Sequence, residues 1–277
     1  MKPIIFLVAF ALTLGLLMTN NSSAEPKSVK VAAAQILCID GDRSGNFARI
    51  ENALIKAKEK GADIVAFPES CILGWENPDA HQRAFPIPGE DSERLCKLAK
   101  KYKLHINIGL DEKDGDKLYD SAILIDDNGK ILLKHRKVDV LPELMTPPYT
   151  AGQRVVSYAD TKFGRIGVII CADSFHEDLL LKLKEFKPKF VLIPYGWAAG
   201  ESKWPAHRKD LQNTVGYVAK LTDCTVVGTD LVGQMSHGPW KNYTYGGSSV
   251  SVTKDGEVLY VATDRDVDVS IVTIKLP

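Results

Sequence analysis

The hydrophobic and polar positions of residues 25–277 follow two alternating patterns. Short apolar runs bounded by turn residues predict buried strands, here at residues 29–36, 64–67, 105–110, 118–125, 131–137, 155–158, 165–170, 190–193, 225–229, 248–252, 258–262 and 269–274. Apolar positions that recur once per helical turn predict amphipathic helices, here from Asn46 as the N-cap to Gly61, and at residues 92–102, 179–184 and 204–221. Strands and helices therefore alternate over most of the chain.

Hairpins interrupt this alternation. Residues 126–129, Asp-Asp-Asn-Gly, lie between two apolar runs, and such turn residues are typical of a β-hairpin. Helices between the other strands predict α/β layers. The mixture favours an α/β fold with mixed sheets over a purely parallel barrel. No linker, internal repeat or shift of composition divides residues 25–277, so we expect a single domain there.

The first residues differ from the rest of the chain. Lys2 precedes an almost wholly apolar run over residues 4–18, and the polar stretch after that run ends in the small residue Ala24. This is the pattern of a secretory signal peptide, and the run is shorter than the roughly 20 residues of a spanning helix. We therefore predict a signal peptide over residues 1–24 and an exported chain, periplasmic or secreted, beginning near Glu25. An uncleaved N-terminal anchor is the alternative.

Composition and charge are those of an ordinary soluble domain. Of the 277 residues, 45% are hydrophobic, and 35 Lys and Arg balance 35 Asp and Glu. Because nucleic-acid and membrane-surface binding usually requires a basic excess, we predict no nucleic-acid partner and no stable membrane insertion of the mature chain. The five cysteines and six histidines lack zinc-ligand spacing, so we predict no metal and no cofactor. A domain of this size does not need disulfides.

Three polar side chains come at the ends of predicted strands. Cys171 follows the apolar run 166–170, Glu69 follows a buried strand, and Lys137 ends another. Each has an ordinary explanation: a small buried hydrophobe, a capping loop glutamate, and a solvated strand end. At the carboxyl ends of strands, where α/β folds build their sites, they could instead act as nucleophile, general base and oxyanion stabiliser. Glu143 in the next loop could orient Lys137 by a charge-assisted hydrogen bond.

Together these segments resemble the nitrilase superfamily of carbon–nitrogen hydrolases. The resemblance covers nearly all of residues 25–277, and each of its motifs is weak alone, but their order and spacing are specific. The motifs are Val-Ala-Ala-Ala-Gln at residues 31–35, Phe-Pro-Glu at 67–69, His-Arg-Lys at 135–137, Gly-Val-Ile-Ile-Cys at 167–171, Tyr-Gly-Gly-Ser-Ser at 245–249 and Asp-Gly-Glu at 255–257.

This resemblance implies a fold and a set of catalytic roles. The family has an α-β-β-α sandwich with two mixed β-sheets and a Glu–Lys–Cys triad, and it commonly dimerises by stacking sandwiches. Carried over by position, the triad is Glu69 as base, Lys137 as electrostatic stabiliser and Cys171 as nucleophile, with Glu143 near a second glutamate of many members. We therefore expect a homodimer or higher homo-oligomer, and cysteine-dependent hydrolysis without a metal or organic cofactor.

The residues after Cys171 bear on the substrate. Many nitrilases have Trp-Glu there, whereas this chain has Ala172 and then Asp173. The difference favours a small-molecule amide or N-carbamoyl substrate over a nitrile. Candidate substrate-binding residues are Ala172, Tyr149, His176 and Trp197. Three alternatives stay open: acyl transfer to an amine or lipid, true nitrilase activity, and a catalytically silent binding module on the same fold.

Overall fold

The computed structural model describes residues 27–204 and 206–276. The predicted signal peptide over residues 1–24 lies outside this part of the chain. Within these two ranges, no helix has both the length and the apolar character needed to cross a membrane.

Fifteen strands and five α-helices make up the fold over these ranges. The helices are α1 (Arg43–Glu59), α2 (Ala80–Arg83), α3 (Glu90–Tyr102), α4 (Glu177–Glu185) and α5 (Ala206–Thr222). The strands are β1 (Ser28–Gln35), β2 (Ile64–Ala66), β3 (His105–Asp114), β4 (Lys117–Ile125), β5 (Ile131–Arg136), β6 (Ser157–Thr161), β7 (Gly164–Val168), β8 (Phe190–Pro194), β9 (Ala198–Ala199), β10 (Thr225–Thr229), β11 (Val232–Gln234), β12 (Thr244–Gly246), β13 (Val250–Val252), β14 (Val258–Val261) and β15 (Asp268–Lys275).

The strands form two six-stranded sheets and one small sheet. The first sheet has the order β15-β1-β2-β3-β4-β5, the second β14-β13-β10-β8-β7-β6, and the small one β11-β12-β9. In the first sheet β2 pairs parallel with β1 and β3, while the outer pairs are antiparallel. In the second sheet β8 pairs parallel with β7 and β10. Both large sheets are therefore mixed, as the sequence predicted.

The two large sheets pack face to face, and helices cover their outer faces. Alternation along β1 shows why: Val31 packs into the core between the sheets, whereas Ala32 packs with Phe47 of α1 on the outer side. Successive side chains of a strand point to opposite faces, so an uninterrupted apolar strand can supply both cores. Helices α1 and α3 contact the first sheet, and α5 contacts the second. The predicted α-β-β-α sandwich is confirmed.

Some element boundaries differ from the predictions. Helix α1 begins at Arg43, and the side chain of Asp42 caps it by accepting a hydrogen bond from Gly45 N at 3.1 Å. The predicted cap, Asn46, is instead buried inside the helix, where its Nδ2 donates to the Ile72 carbonyl at 2.9 Å. Asn is a preferred N-cap residue, but here the Asn46 side chain forms a tertiary hydrogen bond and does not cap the helix.

Candidate active site

Cys171 lies in a tight turn after β7. It begins a short 3-10 helix, Cys171–Phe175, and its φ of 38° falls in the left-handed region. A non-glycine residue there is strained, and such strain is often found at functional sites. The residue is 8% exposed. Strand β7 ends at Val168, earlier than predicted, so the turn rather than the strand itself positions the thiol.

Lys137 lies between two buried carboxylates. It follows β5, and its ammonium forms a hydrogen-bonded ion pair with Glu69 Oε1. Its Nζ also lies 3.4 Å from Asp120 Oδ2, and all three side chains are fully buried. The pairing of β4 with β5 places Asp120 here, because Lys137 N donates to the Asp120 carbonyl at 2.8 Å. A buried charge requires such partners to offset its lost hydration.

The three chemical groups predicted from the sequence influence one another electrostatically. Burial raises the pKa of the Cys171 thiol well above its usual range; the charge of Glu69 raises it further, while Lys137 and a hydrogen bond from the Gly196 backbone partly offset this. Burial also raises the pKa of Glu69, against the opposing effect of Lys137. At Lys137, burial alone would lower the pKa, but the charges of Glu69, Asp120 and Cys171 outweigh it and raise the pKa. Deprotonation of the thiol is therefore disfavoured without a base.

Gly196 joins the Cys171 turn to the Glu69 loop. It follows β8, and its backbone N–H donates a hydrogen bond to the Cys171 thiol. A Cβ at this position would lie 2.8 Å from Glu69 Oε2 and 3.3 Å from the ring of Trp75. The neighbouring backbone also contributes, since Glu69 N donates to the Tyr195 carbonyl at 3.2 Å. Only a glycine leaves space for the carboxylate here.

Asp173 connects the segments that carry Lys137 and Cys171. Its Oδ1 accepts hydrogen bonds from the backbone N–H groups of Val138 and Asp139, at 2.9 and 3.0 Å. Its Oδ2 accepts from Ile170 N at 3.1 Å and contacts His135 Nε2 at 2.9 Å. The carboxylate is fully buried and its acceptor positions are occupied. The residue that distinguishes this chain from Trp-Glu nitrilases therefore has an internal, structural role.

Glu143 does not lie where we predicted. It is exposed, on the loop after β5, and the second carboxylate beside Lys137 is Asp120. The loop carries Glu143 towards the surface, where it lines a cavity with Glu76. Asp120 of β4, and not Glu143, therefore makes the second carboxylate contact with Lys137.

The four predicted substrate-binding residues are spread over different environments. Ala172 is buried directly after the nucleophile candidate, and Trp197 lines a cavity of about 380 Å³. The hydroxyl of Tyr149 donates to Asp111 Oδ1 at 2.6 Å, so it serves an internal hydrogen bond. His176 lies near the surface, with Nε2 3.1 Å from Asp139 Oδ2. All four stay predictions.

Sequence reasoning missed Asp120, Gly196 and Glu76. Asp120 lies in the apolar run 118–125, where a lone carboxylate in a buried strand was a usable signal. Gly196 follows a predicted strand, but its importance depends on which side chains approach it. Over the described ranges, no three His, Cys, Asp or Glu side chains come together as metal ligands. The five cysteines are all free.

The amino-acid sequence is similar to those of known proteins. The profile of the carbon-nitrogen hydrolase family matches residues 30–277. Nitrilase 3 of Arabidopsis thaliana is 32% identical over 176 residues, covering 55% of this chain and 50% of that protein. Bifunctional nitrilase/nitrile hydratase NIT4A of Nicotiana tabacum is 30% identical over 174 residues, covering 56% and 49%. The matched segment spans about half the length of these plant relatives.

Solved structures share the fold at lower sequence identity. An amidase from Nesterenkonia sp. superimposes with a TM-score of 0.75 and 19% identity, covering 90% of each chain. A mutant of the AN1 enzyme, with a TM-score of 0.74, 18% identity and the same coverage, carries the acetamide moiety of fluoroacetamide at its active-site cysteine. At this identity the likeness shows the common sandwich architecture.

Proposed function

The chain belongs to the carbon–nitrogen hydrolase family, within the nitrilase superfamily, and we propose that it hydrolyses an amide or N-carbamoyl bond by covalent catalysis at Cys171. The observation that carries this proposal is the buried Glu69–Lys137 ion pair near a thiol on a strained backbone turn. A carboxylate of raised pKa accepts a thiol proton readily. A fixed ammonium stabilises a developing oxyanion in a site from which water is excluded.

The proposed reaction proceeds in two covalent steps. Cys171 Sγ bonds to the substrate carbonyl carbon while Glu69 takes the thiol proton, and Lys137 and the Ala172 backbone N–H stabilise the oxyanion. The C–N bond then breaks as Glu69 gives its proton to the leaving nitrogen, which departs as ammonia or an amine. Water attacks the thioester, Glu69 takes one of its protons, and that proton returns to sulfur as the acid leaves.

Amide chemistry is the preferred form of this proposal. The small residue Ala172 stands where many nitrilases have a bulky Trp after the nucleophile, and Asp173, at the position of the Glu, forms internal hydrogen bonds. The covalent acetamide moiety at the active-site cysteine of the Nesterenkonia amidase mutant supports a nucleophilic cysteine on this fold. Nitrile hydrolysis is the second candidate, because the plant relatives at 30–32% identity are named nitrilases.

A substrate screen tests this proposal. Ammonia release is measured from simple amides, N-carbamoyl compounds and nitriles, with Cys171→Ala as the control. The proposal expects turnover of amides or N-carbamoyl compounds that is lost in Cys171→Ala. With hydroxylamine added as an acceptor, hydroxamate as the main product even at low hydroxylamine concentration would favour acyl transfer, and free acid as the main product would favour hydrolysis. Preferred turnover of nitriles would favour the second candidate, and absence of any Cys171-dependent turnover would favour a silent binding module.

Export and oligomerisation are separate parts of the proposal. We propose that the chain is exported, to the periplasm or beyond, on the basis of the basic start and apolar run in residues 1–24. N-terminal sequencing of the mature protein should then begin near Glu25, whereas a chain that still starts at Met1 would contradict cleavage. The homodimer or higher oligomer also stays a prediction, which light scattering of the purified protein would check.

A further inference from the structure

Glu76 is a buried carboxyl group without a hydrogen-bond partner. The residue is 1% exposed, and neither Oε1 nor Oε2 has a partner among the described residues. Its backbone is also strained, with a φ of 56°. Buried polar groups are nearly always satisfied, and a buried carboxylate without a partner is costly. The protein therefore maintains an unpaired carboxyl group in its interior, which calls for a ligand.

Glu76 is one of the residues that line a cavity with room for part of a small molecule. The cavity measures about 260 Å³. Glu143 also lines it, and the remaining lining residues are uncharged, among them Leu144, Met145 and Pro239. Its charged lining is thus two carboxyl groups with apolar walls between them. Such a cavity fits an apolar stem that ends in a cationic group.

The charge balance around Glu76 points the same way. Burial raises the pKa of Glu76 to about 8; Lys137 opposes this effect, and Asp120, Asp111 and Glu143 add to it. Over the described residues, Lys137 is the one buried lysine or arginine, and Glu69 and Asp120 already hold it. A further positive charge at Glu76 would offset this local excess of carboxyl groups.

The cavity adjoins the candidate active site through one residue. Trp75 directly precedes Glu76, and its ring centroid lies 5.1 Å from Lys137 Nζ. A Cβ added at Gly196 would lie 3.3 Å from the same indole. Another neighbour of the indole is Trp240, with ring centroids 5.9 Å apart, and the residue before Trp240 is Pro239 of the cavity wall. The buried Trp75 side chain therefore lies between Lys137 and the residues of the cavity wall.

We propose that Glu76 binds a positively charged amino group of the substrate, which makes the substrate an amide or N-carbamoyl compound bearing an ammonium group. This inference rests on the proposed function, since it names the substrate class of the same site. The ammonium nitrogen donates to Glu76 Oε1 and Oε2, and Glu143 at the cavity mouth adds a second negative charge. A bare inorganic cation bound by Glu76 is the alternative that the test distinguishes.

Matched amides test the proposal. ω-Aminopentanamide and hexanamide have the same length and differ by an ammonium in place of a methyl group. For the wild-type protein we expect kcat/KM to favour ω-aminopentanamide by about 10- to 100-fold, the effect of one charge-assisted hydrogen bond. In Glu76→Gln this ratio should fall at least about tenfold. Glu185→Gln, at an exposed position on α4, is the matched control and should keep the wild-type ratio.

Binding gives a readout that does not depend on turnover. Calorimetric titration of full-length Cys171→Ala should show the same preference for ω-aminopentanamide, and Cys171→Ala/Glu76→Gln should lose it. Equal binding of both amides, or a preference that survives Glu76→Gln, would overturn the proposal. Competition with salts tests for an inorganic-cation site. If sodium or potassium chloride displaces ω-aminopentanamide no better than choline chloride does, such a site is excluded. If sodium or potassium chloride displaces it better, such a site is favoured.

These outcomes separate the two proposals. If both amides are hydrolysed through Cys171 without preference, the proposed function stands and the role of Glu76 is wrong. If neither amide is hydrolysed but the Glu76-dependent binding preference remains, the binding role stands and the hydrolytic function is wrong. The wild-type preference is measured without any variant, so failure of Glu76→Gln to fold would leave the proposal testable.

Discussion

His135 Nε2 lies 2.9 Å from Asp173 Oδ2 in a fully buried contact that connects the end of β5 to the Cys171 turn. The other ring nitrogen of His135 lies 2.9 Å from Ser157 Oγ, which fixes the orientation of the imidazole. Because Asp173 also accepts hydrogen bonds from the backbone after Lys137 and before Cys171, the spacing of these two side chains depends on it. Asp173 acts as a positioning residue.

Replacing Asp173 should therefore reduce both stability and activity. In Asp173→Asn, an amide N–H group faces backbone N–H donors, and we expect the free energy of unfolding to fall by about 2–4 kcal/mol. Urea denaturation measures it. The matched control is Asp178→Asn, whose carboxylate forms an exposed ion pair with Arg154 and should matter much less. Equal losses in both variants would contradict the positioning role.

The Asp173 contribution should also depend on pH. Burial alone would raise the pKa of Asp173, but hydrogen bonds from His135, Asp139 and Ile170 outweigh it and hold the pKa below its usual value. A carboxyl with a lowered pKa in the folded state stabilises the protein fully above its unfolded pKa, about 3.9. The stability difference between wild type and Asp173→Asn should be constant near neutrality and shrink below about pH 4. A difference that grows on acidification would contradict this.

Glu69 should control the reactivity of the Cys171 thiol. Burial raises the pKa of that thiol, so a base should promote its alkylation, and general-base catalysis contributes about 10²–10⁴-fold. We expect iodoacetamide to label Cys171 faster than the other four cysteines, and Glu69→Gln to slow this labelling by about tenfold or more. Intact-mass readout with peptide mapping measures both rates. Uniform slow labelling of all cysteines in the wild type would argue for a silent module.

A methyl group at Gly196 should displace the base. The added Cβ would lie 2.8 Å from Glu69 Oε2, so Gly196→Ala should lower kcat by about tenfold or more, since small misplacements of catalytic groups are costly. Gly216→Ala on α5 is the control, because its Cβ meets Val252 at an ordinary 3.8 Å. This control should retain activity and gain up to about 1 kcal/mol of stability from helix propensity. Steady-state kinetics on the best amide decides between the two outcomes.

The sequence predicted the fold well wherever apolar patterns determine burial. The run 225–229 forms β10, Thr225–Thr229, with no change of boundary, because its apolar residues fill the core of the second sheet. The predicted start of α1 was wrong because Asn46 bonds to a distant loop. Local patterns contain no information about such tertiary partners.

The candidate site was predicted in part for similar reasons. Their positions after predicted strands, together with the family resemblance, located Glu69, Lys137 and Cys171, which the structure brings together. The position of Glu143 depends on the path of a loop, whereas the contact of Asp120 with Lys137 depends on the pairing of β4 with β5. Strand pairing and loop path arise from the whole fold, so neither could be derived from spacing along the chain.

The central claim is that Cys171 forms a thioester with the substrate, and trapping that intermediate tests it most directly. The protein is quenched in acid during turnover of its best amide, and its intact mass and peptide map are recorded. We predict an added acyl group on the peptide that contains Cys171. This adduct should be present in Cys96→Ala and absent from Cys171→Ala. Of the two variants, only Cys171→Ala should lose ammonia release. Turnover by Cys171→Ala at the wild-type rate, with no acyl adduct on the wild-type protein, would contradict the mechanism.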